Sequence, residues 1–254
     1  MRIVLFGTGN LATRLGLALQ SKHAEIVQVF GRTESCCSHL AEMLGCGFTL
    51  SKENITQDAD LFLLAVTESA IPEVLSGLKI NNQLMVHTSG SLSLNSLSAW
   101  SPNFGVLYPL QTLSVQKVVD FSSVPICIEA STPVNLQILH DLASCISQKV
   151  YHINSEQRRQ LHLSAVFLCN FVNHLYAIGE KLLQEQQLDF ELLKPLIRET
   201  AEKALLFSPA EVQTGPAIRG NLTIQQLHLQ MLEQHPSWQQ IYQQISHDIA
   251  STQI

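Results

Sequence analysis

Two styles of apolar and polar patterning divide the chain. Up to about Asn154, short β-rich runs alternate with stretches of helical period. The runs Ile3–Phe6, Ile26–Phe30, Leu61–Val66, Leu84–His87, Phe104–Tyr108, Pro125–Glu129 and Val150–Ile153 predict strands. Helices are predicted between them at Asn10–Ser21, Ser35–Leu44, Ala70–Leu78 and Pro133–Ser147. The last follows Ser131-Thr132, so a capping residue precedes a first-turn proline. Such alternation is the signature of an α/β fold with a doubly wound, mostly parallel sheet. After Ser155 the strand signal stops, and helical period covers Ser155–Gln186, Phe190–Phe207, Leu222–Glu233 and Trp238–Ala250. The expected division is residues 1–153 for a sheet domain and 154–254 for an all-α domain.

The first motif lies at the first strand–helix junction. Gly7-Thr8-Gly9-Asn10-Leu11-Ala12 reads G-x-G-x-x-A, follows an apolar strand and opens a helix carrying Leu11, Leu15 and Leu19. That is the context of a Rossmann dinucleotide fingerprint. Gly7 permits the tight turn, Gly9 has no Cβ to block a pyrophosphate, and Ala12 lets the helix pack closely on the strand. The helix N-terminus offers its N–H groups to the phosphates. The end of the second strand chooses the cofactor. An NAD site would carry an acidic residue there for the ribose 2′-hydroxyl, whereas this chain has Gly31-Arg32-Thr33. A guanidinium beside a hydroxyl suits a 2′-phosphate, so the expected cofactor is NADP.

Ligands of open α/β sheets bind beyond the carboxyl ends of the strands. Ala65, Val66 and Thr67 are therefore expected beside the cofactor. His87-Thr88-Ser89-Gly90 ends the next strand, where the nicotinamide would lie. His87 is a candidate proton donor or, equally, a hydrogen-bonded strand-end histidine. Ser89 and Gly90 look like a turn for a substrate anion. Gln111 and Thr112, freed from the ladder by Pro109, are candidates for substrate contact or for a local structural turn.

On the long helix, a 100° step per residue gathers Leu161, Ala165, Leu168, Val172 and Leu175 into the expected core stripe. His162, Asn170 and Asn173 fall on another face, as a catalytic surface or a bridging polar cluster. The Gly215–Asn221 segment breaks the helical pattern, with Arg219 offered to a substrate carboxylate or phosphate and Asn221 as a helix cap.

Composition narrows the classes. With 46% hydrophobic and 14% charged residues among 254, there is apolar material for two cores. A net charge of −6 and no Lys/Arg run argue against nucleic acid. The doublet Arg158-Arg159 reads as a solvated helix flank. Leu161–Gly179 contains no charged Asp, Glu, Lys or Arg side chain and approaches bilayer length, but His162, Asn170, Asn173 and His174 would be costly in hydrocarbon. A helix buried within a soluble protein, not a membrane span, is the expectation. Six cysteines show neither a CxxC pair nor zinc spacing, so reduced thiols, mostly in the core, and no metal are expected. Met1-Arg2 runs directly into Ile3–Phe6, and Gly7 ends that run before a signal h-region forms, which points to the cytoplasm.

Val4–Ala12, Gly31-Arg32-Thr33, Leu63–Thr67 and His87–Gly90 resemble the NADP-dependent β-hydroxyacid dehydrogenase and pyrroline-5-carboxylate reductase group. The motifs His87–Ser91, Tyr108–Thr112, Leu161–Ala165, Asn170–Leu175 and Gly215–Asn221 more closely resemble a bacterial family joining a Rossmann-like domain to a helical domain of unknown function. The resemblance implies an oxidoreductase with its site between two domains, moving a hydride to or from a small C=O or C=N substrate. It also implies a homodimer paired through the C-terminal helices. Related hydroxyacid dehydrogenases place a Lys and an Asn one turn apart on the equivalent helix. Here no Lys lies between Val150 and Glu180, so His162 or Asn170 must substitute. That departure keeps two other readings open: a noncatalytic NADP(H)-binding sensor or assembly module, and a deazaflavin-linked NADP reductase.

Overall fold

The computed structural model describes residues 1–20, 24–114 and 116–251. Its eight strands are β1 (Arg2–Phe6), β2 (Glu25–Phe30), β3 (Gly47–Thr49), β4 (Leu61–Leu64), β5 (Leu84–His87), β6 (Phe104–Pro109), β7 (Ile126–Ala130) and β8 (Val150–His152). They form one sheet in the order β3-β2-β1-β4-β5-β6-β7-β8, and every described pairing is parallel except β6 with β7. The order in which strands are added reverses between β1 and β4, which makes the carboxyl edge of those two strands the switch point where a ligand crevice opens.

Both faces of the sheet are covered, which is why its central strands read as unbroken apolar runs. On one face Ile3 and Leu5 of β1 pack with Leu15 and Leu19 of helix α1 (Asn10–Gln20), Leu40 and Leu44 of α2 (Glu34–Leu44), and Leu139. On the other, Val4 and Phe6 pack with Phe30, Phe62 and the short helix α3 (Ile71–Leu75). Helix α4 (Pro133–Ile146) starts as expected: Thr132 accepts the N–H of Asn135, and Pro133 stands in the first turn. The helix expected at 70–78 is shorter, because a 3-10 turn at Glu68–Ala70 precedes it and Gly77, at φ 76°, lies just past its end. The expected end of α1 at Ser21 lies outside the described residues. Strand β3 carried no sequence signal, being three residues at the sheet edge.

The predicted helix over 155–186 is three pieces: α5 (Ser155–Ala165), a π-helical turn (Val166–Phe171) and α6 (Val172–Glu185). A reciprocal capping box between Asn154 and Gln157 starts it. The chain divides into compact units at Met1–Cys169 and Asn170–Ile254. The first turns of the helix stay with the sheet because Arg158 is buried there. The second unit contains α6, α7 (Lys194–Leu206), α8 (Leu222–Met231) and α9 (Pro236–Ser251).

Three expectations fail on burial. Arg158 is not a solvated flank but is 0% exposed. The stripe expected to form a core does not: among the described residues, Leu168 is 72% and Leu175 39% exposed. The cysteines are all free, yet Cys36, Cys145 and Cys169 are exposed, and only Cys37 and Cys127 are buried. Ser155–Glu185 is long and apolar enough, by composition alone, to span a membrane. Its opening turns are fixed to the sheet by the Arg158–Glu129 ion pair.

Candidate functional site

A cavity of about 270 Å³ opens at the switch point, lined by Gly7, Thr8, Gly9, Gly31, Arg32, Thr33, Lys52, Ala65, Val66 and Thr67, among others. Gly7 sits at φ 111°, and a Cβ there would lie 2.3 Å from the carbonyl oxygen of Ala65. Only glycine tolerates both conditions. Gly9 is different, because a Cβ on it would meet nothing within 4 Å of protein. Its missing side chain therefore leaves space for a ligand rather than for packing. Asn10 opens α1 and its amide donates to the Leu113 carbonyl at 3.3 Å. Leu11 and Ala12 turn inward to the core and contribute through the helix N-terminus.

At the far end of the cavity, Thr33 is the N-cap of α2, yet its side chain makes no capping bond. The exposed Arg32 stands beside it. A guanidinium, an uncommitted hydroxyl and a helix N-terminus together fit a phosphate. Lys52, missed in the sequence, also lines this cavity and donates to the carbonyls of Glu73 and Ser76. It lies alone in an unremarkable stretch, so nothing local marked it.

The next strand ends hold a second cluster. His87, on β5, is 0% exposed; its Nδ1 accepts the N–H of Ser89 at 3.2 Å, and its Nε2 has no hydrogen-bond partner. Burial first, then the nearby Arg158 charge, depress its pKa to about 4. His87 is therefore neutral at physiological pH and does not supply the near-neutral titration expected of a proton donor. Thr88 is buried and donates to the Leu64 carbonyl.

The turn at Ser89 and Gly90 is not an open anion site. Ser89 Oγ donates to Glu68 Oε1 at 2.7 Å, and Ser91 Oγ reaches the same oxygen at 3.3 Å. Partial burial opposes the Glu68 anion. The bonds from Ser89, its own backbone and Ser91, with the neighbouring His162, outweigh it and hold the carboxyl below its usual range. Gly90 serves packing: a Cβ there would lie 2.7 Å from His162 Nδ1 and 2.9 Å from Tyr108 Cζ.

That glycine makes room for a pair. The Tyr108 hydroxyl and His162 Nδ1 share a 3.1 Å hydrogen bond, their rings edge-on. Burial, with a smaller contribution from Cys127, pushes the Tyr108 phenol up to about 12, so it keeps its proton. Below the pair, Arg158 donates to Glu129 at 2.6 Å, to the Leu92 carbonyl and to Ser155 Oγ. Ser155 Oγ in turn donates to Glu129 at 2.7 Å and accepts the N–H of Leu94 at 2.8 Å. This network ties α5 to β7 and to the loop after Ser91, fixing where His162 stands.

Gln111 Oε1 accepts from the N–H and hydroxyl of Thr112, so the two close a local turn on each other. Asn170 lies in the last part of the π-turn, Asn173 in the first turn of α6, and Arg219 in the turn before α8; all three are exposed, in the second unit. Asn221 caps α8 through the N–H of Ile224. The sequence reading named the Tyr108 motif without choosing its tyrosine, and passed over Glu68. Glu68 directly follows Thr67 at a strand's carboxyl end, which was the available signal.

Comparisons with known proteins agree with this geometry. Residues 2–89 match a family model described as NADP oxidoreductase, coenzyme F420-dependent, and residues 124–249 match a domain of unknown function, DUF2520. No curated protein matches the sequence. A solved structure from Bacteroides fragilis, assigned as an NADP oxidoreductase, is 41% identical with a TM-score of 0.93, covering 99% of this chain and 98% of that one. An imine reductase from Myxococcus stipitatus in complex with NADP+ shares the fold at 12% identity and TM-score 0.69, over 99% of this chain and 92% of that one. So does 1-pyrroline-5-carboxylate reductase from Streptococcus pyogenes, at 15% identity and TM-score 0.61, over 99% of each chain. The chain thus belongs to the family of NADP oxidoreductases in which a Rossmann domain of the coenzyme F420-dependent type is joined to a DUF2520 domain, and NADP is its cofactor.

Proposed function

We propose that this protein is an NADPH-dependent reductase of a small substrate with a C=N or C=O bond, the C=N class being favoured. The observation that carries this reading is the Tyr108–His162 pair, held against Gly90 beside the strand ends that follow the cofactor cavity. When bound, NADPH supplies the hydride to the substrate carbon. The chain's own residues manage the proton that the nitrogen or oxygen must take up. Tyr108 keeps its proton at neutral pH and shares a hydrogen bond with Nδ1 of His162. The pair thus offers a proton-bearing group whose loss the partner can make good. His87, neutral and buried, braces the Ser89 turn through Nδ1 and is a positioning residue. The fold shared with an imine reductase and with 1-pyrroline-5-carboxylate reductase supports the C=N preference.

The test is loss of NADPH absorbance against cyclic imines, 2-oxo acids and aldehydes. Turnover is expected with cyclic imines, and Tyr108→Phe and His162→Ala should each lower it by about 10²–10⁴-fold, the usual worth of acid–base catalysis. NADPH affinity should stay within about twofold. If no panel member consumes NADPH, a noncatalytic NADP-binding role becomes the better reading.

We also infer that the chain works as a homodimer in the cytoplasm. Among the described residues of the second unit, the buried apolar side chains are Ala217 and Leu232, while Leu196, Leu205, Leu206, Phe207 and Met231 are exposed. Apolar surface on that scale calls for a partner, and a second copy of the same face closes it by two-fold symmetry.

A further inference from the structure

We propose that Glu68 makes this a cation-selecting site, so that the substrate nitrogen, once protonated from the Tyr108–His162 pair, is held as a positively charged iminium, and a carboxylate is disfavoured. This rests on the reductase reading above and narrows its substrate class. The turn after β5 has the composition of an anion site, with two serines, a glycine and several backbone N–H groups. Most of its donors, however, are already spent. The Ser89 and Ser91 hydroxyls both bond Glu68 Oε1. The N–H groups of Ser91 and Leu92 are each 3.1 Å from Ser89 Oγ, which accepts them, and the N–H of Ser89 donates to His87. The chain has placed its own carboxylate where a substrate carboxylate would otherwise sit.

Neither nearby cation offsets that charge. Arg158 is fully buried and committed to Glu129, Ser155 and the Leu92 carbonyl. Lys52 belongs to the cofactor cavity and is committed to two carbonyls of α3 and its end. Glu68 itself is exposed at the carboxyl edge, directly after Thr67 of the cofactor cavity, and His162 lies near enough to act on its charge. An arriving carboxylate meets a fixed like charge here, and an iminium meets an opposite one. The hydroxyl bonds orient the carboxylate in advance, so little reorganisation is needed when a cation arrives.

The test uses unreactive probes, so that it does not depend on turnover. Piperidinium and cyclohexanecarboxylate have similar size and opposite charge, and each is titrated calorimetrically into the full-length protein loaded with NADP+. The wild type should bind piperidinium more tightly. Glu68→Gln, whose amide oxygen can still accept both serine hydroxyls, should weaken piperidinium about tenfold and leave the carboxylate unchanged or tighter. Glu68→Asp, which keeps the charge, should retain the cation preference. Equal or tighter carboxylate binding by the wild type would overturn the proposal, and so would a Glu68→Gln protein with unchanged piperidinium affinity. A Glu68→Gln protein that fails to bind NADPH would place the residue in the cofactor site and overturn it too. Reduction assays separate this from the broader reading. Cation preference without reduction of any imine or carbonyl removes the reductase reading and leaves the selectivity of Glu68 standing. Efficient reduction of 2-oxo acids without cation preference does the reverse.

Discussion

His87 carries a pH dependence with a definite sign. Its folded pKa, about 4, lies below the ordinary 6.5, so between those values the unfolded chain binds the extra proton. Stability is complete above pH 6.5 and is lost as pH falls toward 4, by about 3 kcal/mol for a shift of this size. Denaturant unfolding of wild type and His87→Asn between pH 4 and 7 should show that slope in the wild type alone. Gly90 makes a second residue-scale prediction. Gly90→Ala forces a methyl against His162 and Tyr108 and should lower kcat about 10²-fold, as a displacement near 1 Å in an active site typically does, with the NADPH Kd unchanged. For cofactor choice, Arg32→Ala removes a charge-assisted phosphate contact worth about 1.5–3 kcal/mol. NADPH binding should weaken at least about tenfold by calorimetry while NADH binding barely moves. The fingerprint glycines were legible in the sequence because their requirement is local: Gly7 answers to its own φ and to the end of one adjoining strand. The Tyr108–His162 pair was not, because its members stand 54 positions apart and only the fold brings them together.

The long helix shows what periodicity can and cannot foresee. Its start at Ser155 was visible, though not the Asn154–Gln157 capping box that sets it, and so was its length. The alignment of His162 with Asn170 and Asn173 assumed a uniform 100° step, and the π-turn at Val166–Phe171 breaks that step. Arg158 looked solvent-facing because nothing local announces Glu129, 29 positions earlier on another element. Breaking that pair by Arg158→Met strands a carboxylate beside the sheet and should cost about 3–5 kcal/mol. For a chain of this size the melting temperature should fall by about 10 °C. Adding Glu129→Leu removes the stranded charge and should restore most of the loss, whereas a merely additive double variant would show that the network holds α5 by other means.

At the scale of the molecule, the doubly wound sheet and its switch-point cavity followed from the alternation of strand and helix patterns, because a sheet covered on both faces writes its strands as apolar runs. The helical half was legible as helices but not as a core. Its apolar positions were read as an interior, and many of them are surface in the single chain. Light scattering at micromolar concentration should therefore give twice the 28.2 kDa chain mass, and charged substitutions at Leu205 and Met231 should shift the population toward monomer. A monomer mass for the wild type would reject that assignment.

The central claim is hydride transfer from NADPH to a C=N carbon at this site, and isotope tracking tests it most directly. NADPH deuterated at one face of the nicotinamide C4, and separately at the other, is incubated with a cyclic imine, and the amine product is weighed by mass spectrometry. The account predicts one deuterium on the product carbon from one label only, with wild-type protein, and a rate lowered about 10²-fold or more in Tyr108→Phe. A product without deuterium from either label, or NADPH consumed with no amine formed, would contradict it.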